Sequence, residues 1–235
     1  MPDLATRIRE NLARVRHRIA EAAARSGRGP DEVRLVAVTK SVGEPVIRAL
    51  VDAGCRLLGE NRPQQLWQKA AGLADLPIDW HMIGHLQRNK VRRTLPLVRM
   101  LQSADSPALV EAVDRSAGEL SLRLPILLEV NVSGETAKHG FAPEAVEPFL
   151  EELGRREHVE VRGLMCMAGL EGGLDAARRD FAALCQLRDR LRANCPERVG
   201  LDELSMGMSG DFEVAIREGA TIVRVGSALF EGIEP

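Results

Sequence analysis

The sequence predicts an α/β fold: a single (β/α)8 barrel of the TIM type with an extra N-terminal helix. Three observations lead there. Eight short, apolar, β-rich runs alternate with helical patterns, roughly every 20 to 35 residues. Several runs, such as Leu127-Leu128-Glu129-Val130, offer apolar residues to both faces, as strands covered on both sides of a parallel sheet do. Finally, the 235-residue chain has the length of one such barrel and shows no linker, low-complexity segment or shift in composition. A doubly wound open sheet is the rival, and the count of eight favours closure. Residues 1–235 are read as one domain, with residues 1–30 a helical segment packed on the barrel.

The elements follow in order. Over residues 3–26, Leu4, Ile8, Leu12, Val15, Ile19 and Ala22 or Ala23 recur at steps of three and four, one apolar stripe on a helix that Gly27-Arg28-Gly29-Pro30 ends. The strand runs are Arg34–Thr39, Arg56–Leu58, Asp79–Ile83, Val98–Gln102, Pro125–Val132, Glu160–Met165, Leu201–Met206 and Thr221–Val225. Helices are predicted between them near residues 44–53, 61–71, 86–94, 107–118, 143–155, 174–193 and 210–218.

Composition excludes several classes. Hydrophobic residues make up 45% and charged residues 28%, the mixture of a globular protein. No apolar run approaches the roughly 20 residues that span a bilayer. The N-terminus lacks the apolar stretch of a secretory signal, so a cytoplasmic address is expected. Cys55, Cys166, Cys185 and Cys195 form no C-x-x-C pair and read as reduced core thiols. His81 and His85 stand four apart, but Ile83-Gly84 between them argues against a helix, so no metal site is expected. A formal net charge of −2 gives no general attraction for nucleic acid or membranes. The basic stretches at residues 7–28 and Arg88–Arg93 read as solvated helix faces.

Of 32 cationic residues only Lys40, Lys69, Lys90 and Lys138 are lysines. A lysine among so many arginines points to chemistry that arginine cannot perform, namely loss of a proton and attack on a carbonyl. Lys40 follows the buried run Leu35–Thr39, at the strand end where barrels of this kind place functional groups; partial desolvation there would favour its neutral amine. Ser205-Met206-Gly207-Met208-Ser209 ends the seventh strand and Gly226-Ser227 the eighth, where phosphate sites of such barrels lie. Gly207 and Gly210 would let the backbone approach an anion, and Ser209 could cap the next helix. Arg224, between Val223 and Val225, needs a carboxylate or a ligand atom as partner.

These segments resemble the pyridoxal-phosphate homeostasis protein family, barrel proteins related to the N-terminal domain of alanine racemase. The resemblance runs nearly end to end through Val36–Lys40, Leu58–Arg62, His81–Lys90, Gln102–Ser106, Val130–Gly140, Gly163–Met165, Leu204–Asp211 and Thr221–Phe230. It implies pyridoxal 5′-phosphate bound as a Schiff base on Lys40 and intracellular buffering or delivery of that cofactor. It further implies that Arg224 faces the pyridine nitrogen, that Ser205, Ser209, Gly226 and Ser227 hold the phosphate, and that Asn61, His81 and Met165 line the ring pocket. Pro63-Gln64 and Glu231-Gly232-Ile233 depart from the family pattern. The implied partners are the cofactor and pyridoxal-phosphate-dependent apo-enzymes as recipients, for a monomer or weak dimer. Two alternatives are a racemase-like enzyme and an interaction protein using its basic surface. The related racemases use a tyrosine from a second domain as the opposite base. This chain contains no tyrosine and has about ten residues after the eighth strand, so efficient racemisation is not expected.

Overall fold

The computed structural model describes residues 3–135, 139–153, 156–169, 171–193, 195 and 199–233. Its eight strands are parallel and paired in sequence order, the last closing on the first. They are β1 (Arg34–Val38), β2 (Leu57–Glu60), β3 (Asp79–Met82), β4 (Met100–Ala104), β5 (Leu124–Glu129), β6 (Val159–Met165), β7 (Glu203–Ser205) and β8 (Ile222–Val225). The helices are α1 (Leu4–Arg25), α2 (Glu44–Asp52), α3 (Pro63–Gly72), α4 (Val91–Thr94), α5 (Pro107–Glu119), α6 (Pro143–Leu153), α7 (Gly173–Arg192) and α8 (Phe212–Arg217). The predicted closed barrel is the observed fold.

Alternation along the strands divides the core in two. Val36, Met100, Leu127, Met165 and Ile222 fill the inside of the barrel, while the larger apolar cluster lies between the strands and the helices. Helix α1 closes the outer layer against α2, α8 and the turn after β8. Its stripe is buried from Ile8 to Ala23, but Leu4 in the first turn stays 37% exposed. Asp3 caps this helix by accepting the Thr6 N–H at 2.7 Å.

Four local expectations are corrected. The helix near 86–94 shrinks to α4 between two 3₁₀ turns, Arg88–Lys90 and Leu95–Leu97. Leu86, Val91 and Leu95 are its buried anchors, too few and too unevenly spaced for a longer stripe, and Pro96 opens the second turn. The second strand extends to Glu60, two residues past its predicted end. The thiols of Cys55 and Cys166 are buried, whereas Cys185 and Cys195 are only half-buried. Gly207 has φ +92°, and a Cβ there would lie 2.6 Å from Ala215 Cβ. It therefore serves the packing of α8 on its own loop rather than approach to an anion.

Both departures from the family pattern find a local account. Pro63 takes the first turn of α3, where its missing N–H costs nothing. The segment at Glu231 is tied to α1: the buried Asn11 side chain donates to Leu229 O at 3.1 Å and to Glu231 O at 3.0 Å, and Arg14 pairs with Glu231 at 2.7 Å. Asn11→Ala leaves two carbonyls without these donors, so a loss of about 1–3 kcal/mol is expected in urea unfolding. A midpoint equal to the parent's would show that the C-terminal segment is held by apolar contacts alone.

None of the described helices is long and apolar enough to cross a membrane. In the basic stretch of residues 88–93, Arg93 stacks on Trp67 at 4.1 Å and Arg92 pairs with Glu119.

Candidate functional site

A cavity of about 600 Å³ opens at the C-terminal ends of the strands. Six of the nine predicted site residues line it: Lys40 after β1, Asn61 after β2, Ser209 in the loop after β7, and Arg224, Gly226 and Ser227 on and after β8. Parallel pairing forces this convergence, because every strand delivers its C-terminal loop to the same rim.

His81, Met165 and Ser205 do not line the cavity. All three are buried one layer deeper, inside the barrel. Side chains on a strand return to the same face every second residue. The cavity wall is accordingly made by Ile83 and Met167, each two positions after a residue predicted to line it, just as Val38 follows Val36 and Glu129 follows Leu127.

The deeper layer has its own role. Arg224 Nη1 donates to Ser205 Oγ at 2.7 Å, Ser205 Oγ donates to Gln102 Oε1 at 2.7 Å, and Gln102 Nε2 meets His81 Nδ1 at 2.7 Å. A guanidinium only donates, so each following bond has one possible direction. His81 Nδ1 must accept, which leaves its proton on Nε2. Burial, with Arg34 nearby, agrees by lowering the His81 pKa to about 3. The second Arg224 branch, Nη2, donates to Cys166 O at 2.8 Å. Burial lowers the arginine's pKa, and the neighbouring Glu129 and Asp211 oppose the shift.

Lys40 is exposed at the cavity wall, so the strand end does not bury its amine as the sequence suggested. Its backbone is firmly held. Lys69 Nζ donates to Thr39 O at 2.7 Å and to Glu60 Oε1 at 2.6 Å, and Thr39 Oγ1 donates to the same carboxylate oxygen at 2.7 Å. Glu60 is fully buried.

Ser209 does not cap α8, whose N-cap position is Asp211 and which has no side-chain cap. Its hydroxyl instead accepts from Gly226 N at 3.1 Å and Ala228 N at 3.4 Å. Two backbone donors thus converge on one oxygen where the β7 and β8 loops meet, an arrangement suited to an anionic oxygen. Across the cavity, Asn61 Oδ1 is buried without a partner. A loop with convergent donors, an amine and an orphaned acceptor fit a ligand that carries a phosphate, a carbonyl and a polar ring.

The opposite wall holds groups that the sequence reading did not assign to the cofactor site. Glu129 ends β5, and burial, with Asp105 beside it, raises its pKa to about 7; Arg224 and His85 oppose the rise. His85 Nδ1 lies 2.7 Å from Asp105 Oδ2, and the His85 ring stacks on His139 at 4.3 Å with 14° between the planes. The ligand atoms of His85, Asp105 and His139 lie within 4.8 Å of one another. Nearly parallel rings send their in-plane lone pairs side by side, however, so the observed arrangement does not converge them on one ion. A lone charge in an apolar strand was the available signal for Glu129. In the sequence His85 comes up only as a metal ligand beside His81, and Asp105, on a separate loop, gives no signal of its own.

Comparison with known proteins matches residues 11–234 to the family "Alanine racemase, N-terminal domain". The chain is 40% identical over 221 residues to a pyridoxal phosphate homeostasis protein of Aquifex aeolicus, covering 94% of this chain and 96% of that one. It is 41% identical over 226 residues to the protein of the same name from Pseudomonas aeruginosa, covering 95% and 94%. PipY of Synechococcus elongatus, solved with PLP bound, superposes with a TM-score of 0.84 at 36% identity, covering 95% of this chain and 99% of PipY.

Proposed function

Since the chain belongs to the alanine racemase N-terminal domain family, among its pyridoxal phosphate homeostasis proteins, we propose that it binds pyridoxal 5′-phosphate as a Schiff base on Lys40. The bound cofactor is buffered there and handed on to apo-enzymes. The observation that carries this reading is the single cavity joining Lys40, the unpartnered Asn61 Oδ1 and the paired donors at Ser209. When bound, the cofactor supplies an aldehyde that condenses reversibly with amines.

The chain's own residues divide the work. Lys40 provides the amine, held at the rim by the Thr39–Glu60–Lys69 cluster. Gly226, Ser227 and Ser209 hold the phosphate, and Asn61 meets the ring. Arg224, on the cavity floor, would face the ring nitrogen. Its permanent positive charge leaves that nitrogen unprotonated, which weakens the ring as an electron sink and favours storage over racemisation. Ser205, whose hydroxyl is committed to Arg224 and Gln102, serves as support for Arg224 instead of a phosphate contact.

Borohydride reduction of the loaded protein followed by peptide mass mapping tests the assignment. The pyridoxyl group is expected on Lys40. Lys69 is engaged with Glu60, Lys90 lies away from the cavity, and Lys138 lies outside the described residues. An adduct chiefly on any of these three would overturn the site.

A further inference from the structure

We propose that His85, oriented by Asp105 and stacked against His139, is the proton-transfer group of the cavity, serving the step in which a primary amine takes the cofactor from Lys40. The inference rests on the reading that Lys40 carries the aldehyde. In that exchange a carbon–nitrogen bond forms to the incoming amine and the bond to Lys40 Nζ breaks. One proton passes from the incoming nitrogen to Nζ, and nothing is oxidised or reduced. A base that can both take and return that proton is what the step lacks when Lys40 acts alone.

The geometry provides such a group. Both carboxylate oxygens of Asp105 accept hydrogen bonds: Oδ1 from Ser106 Oγ at 3.0 Å, and Oδ2 from His85 Nδ1 at 2.7 Å. The Asp105 side chain is only 7% exposed and does not line the cavity. An acceptor fixed on that side places the His85 proton on Nδ1 and leaves the Nε2 lone pair for the other side. Among the described residues Nε2 has no hydrogen-bond partner. His139 lies face to face with the ring at 4.3 Å and sets its plane. Nucleophile, base and orienting carboxylate thus follow the usual logic of an activated amine, with Asp105 as a positioning residue. Glu129 stands on the same wall and is the competing proton carrier.

Stopped-flow absorbance would follow loss of the cofactor from Lys40 when excess methylamine is added to the loaded protein. His85→Ala is expected to slow the transfer by roughly 10²- to 10⁴-fold, the range of general acid–base catalysis, with partial recovery on adding imidazole. Transfer at the parent rate, or a slowing that imidazole leaves unchanged while Glu129→Gln reproduces it, would overturn the proposal. Nitrogen NMR of the cofactor-free protein gives an independent readout. His85 is expected as the Nδ1–H tautomer in the parent and to lose that preference in Asp105→Asn; a parent Nε2–H tautomer would refute the arrangement. If borohydride fixes nothing on Lys40, the cofactor reading itself falls, and this inference with it. An adduct on Lys40 with an indifferent His85→Ala variant removes the inference alone.

Discussion

Replacing Lys69 with methionine is expected to destabilise the protein by about 3–5 kcal/mol, the cost of stranding one member of a buried ion pair. Lys69 Nζ meets Glu60 Oε1 at 2.6 Å, with side-chain exposures of 13% and 0%. The second carboxylate oxygen, Glu60 Oε2, is already buried without a partner. Once the ammonium is gone, the carboxylate keeps only the Thr39 hydroxyl. Against a total stability of roughly 5–15 kcal/mol, this is a large fraction. Guanidinium unfolding would show it as a lower midpoint with an unchanged slope. The double variant Lys69→Met/Glu60→Leu should recover most of the loss, because a well-packed apolar pair can stand in for a buried ion pair. A single variant within 1 kcal/mol of the parent would mean that water or a shifted backbone takes over the ammonium's role. The same lysine holds Thr39 O, next to Lys40, so the single variant should also slow borohydride-trappable loading.

Glu129 produces an opposite and pH-dependent effect. Its carboxyl titrates near 7 in the folded protein, because of burial and the nearby Asp105, against an ordinary value of 4.5. Between those two pH values the folded state holds a proton that the unfolded state has released. Stability attributable to this group is therefore lost as pH rises from 4.5 through 7, and the loss is complete above 7. The difference amounts to about 3 kcal/mol at full ionisation. Glu129→Gln keeps the shape of the neutral acid and removes the ionisation. It should match the parent near pH 4.5 and exceed it by up to about 3 kcal/mol at pH 8. Parallel stability curves for the two proteins across this range would show that the carboxylate ionises in the folded state at little cost.

The barrel could be read from the sequence because its signal is repeated. Eight apolar runs and a Lys-terminated first strand report strand ends independently, and an error of two residues, as at Glu60, leaves the topology intact. The α4 region failed because its buried residues, Leu86, Val91 and Leu95, follow neither helical period cleanly. In the site, the predicted residues after strand ends line the cavity, as does Arg224 within β8, whereas the other three within strands lie one layer deeper. His81, Met165 and Ser205 share a face with the wall residues, and depth along the barrel axis has no periodic signature. Arg224 stood out as a lone charge in an apolar run, and Glu129 carries the same mark. The His85–Asp105 pair joins loops 20 residues apart. Such a contact is set by strand register and shear, which only the closed barrel supplies.

The bonded chain from Arg224 to His81 also bears on how the barrel can be divided. Arg224 and Ser205 belong to β8 and β7, whereas Gln102 and His81 belong to β4 and β3. A fragment ending after β4 takes Gln102 Oε1 from the Ser205 hydroxyl it accepts from, and one starting at β5 takes that hydroxyl from its acceptor. Both open the inner face of the barrel to water. Each half therefore lacks a complement that only the other provides, and its exposed inner apolar residues, Val36 and Met100 in one half and Leu127, Met165 and Ile222 in the other, favour re-association. Two half-barrels expressed separately should associate to become stable, with the Ser205–Gln102 bond acting as the polar clasp between them.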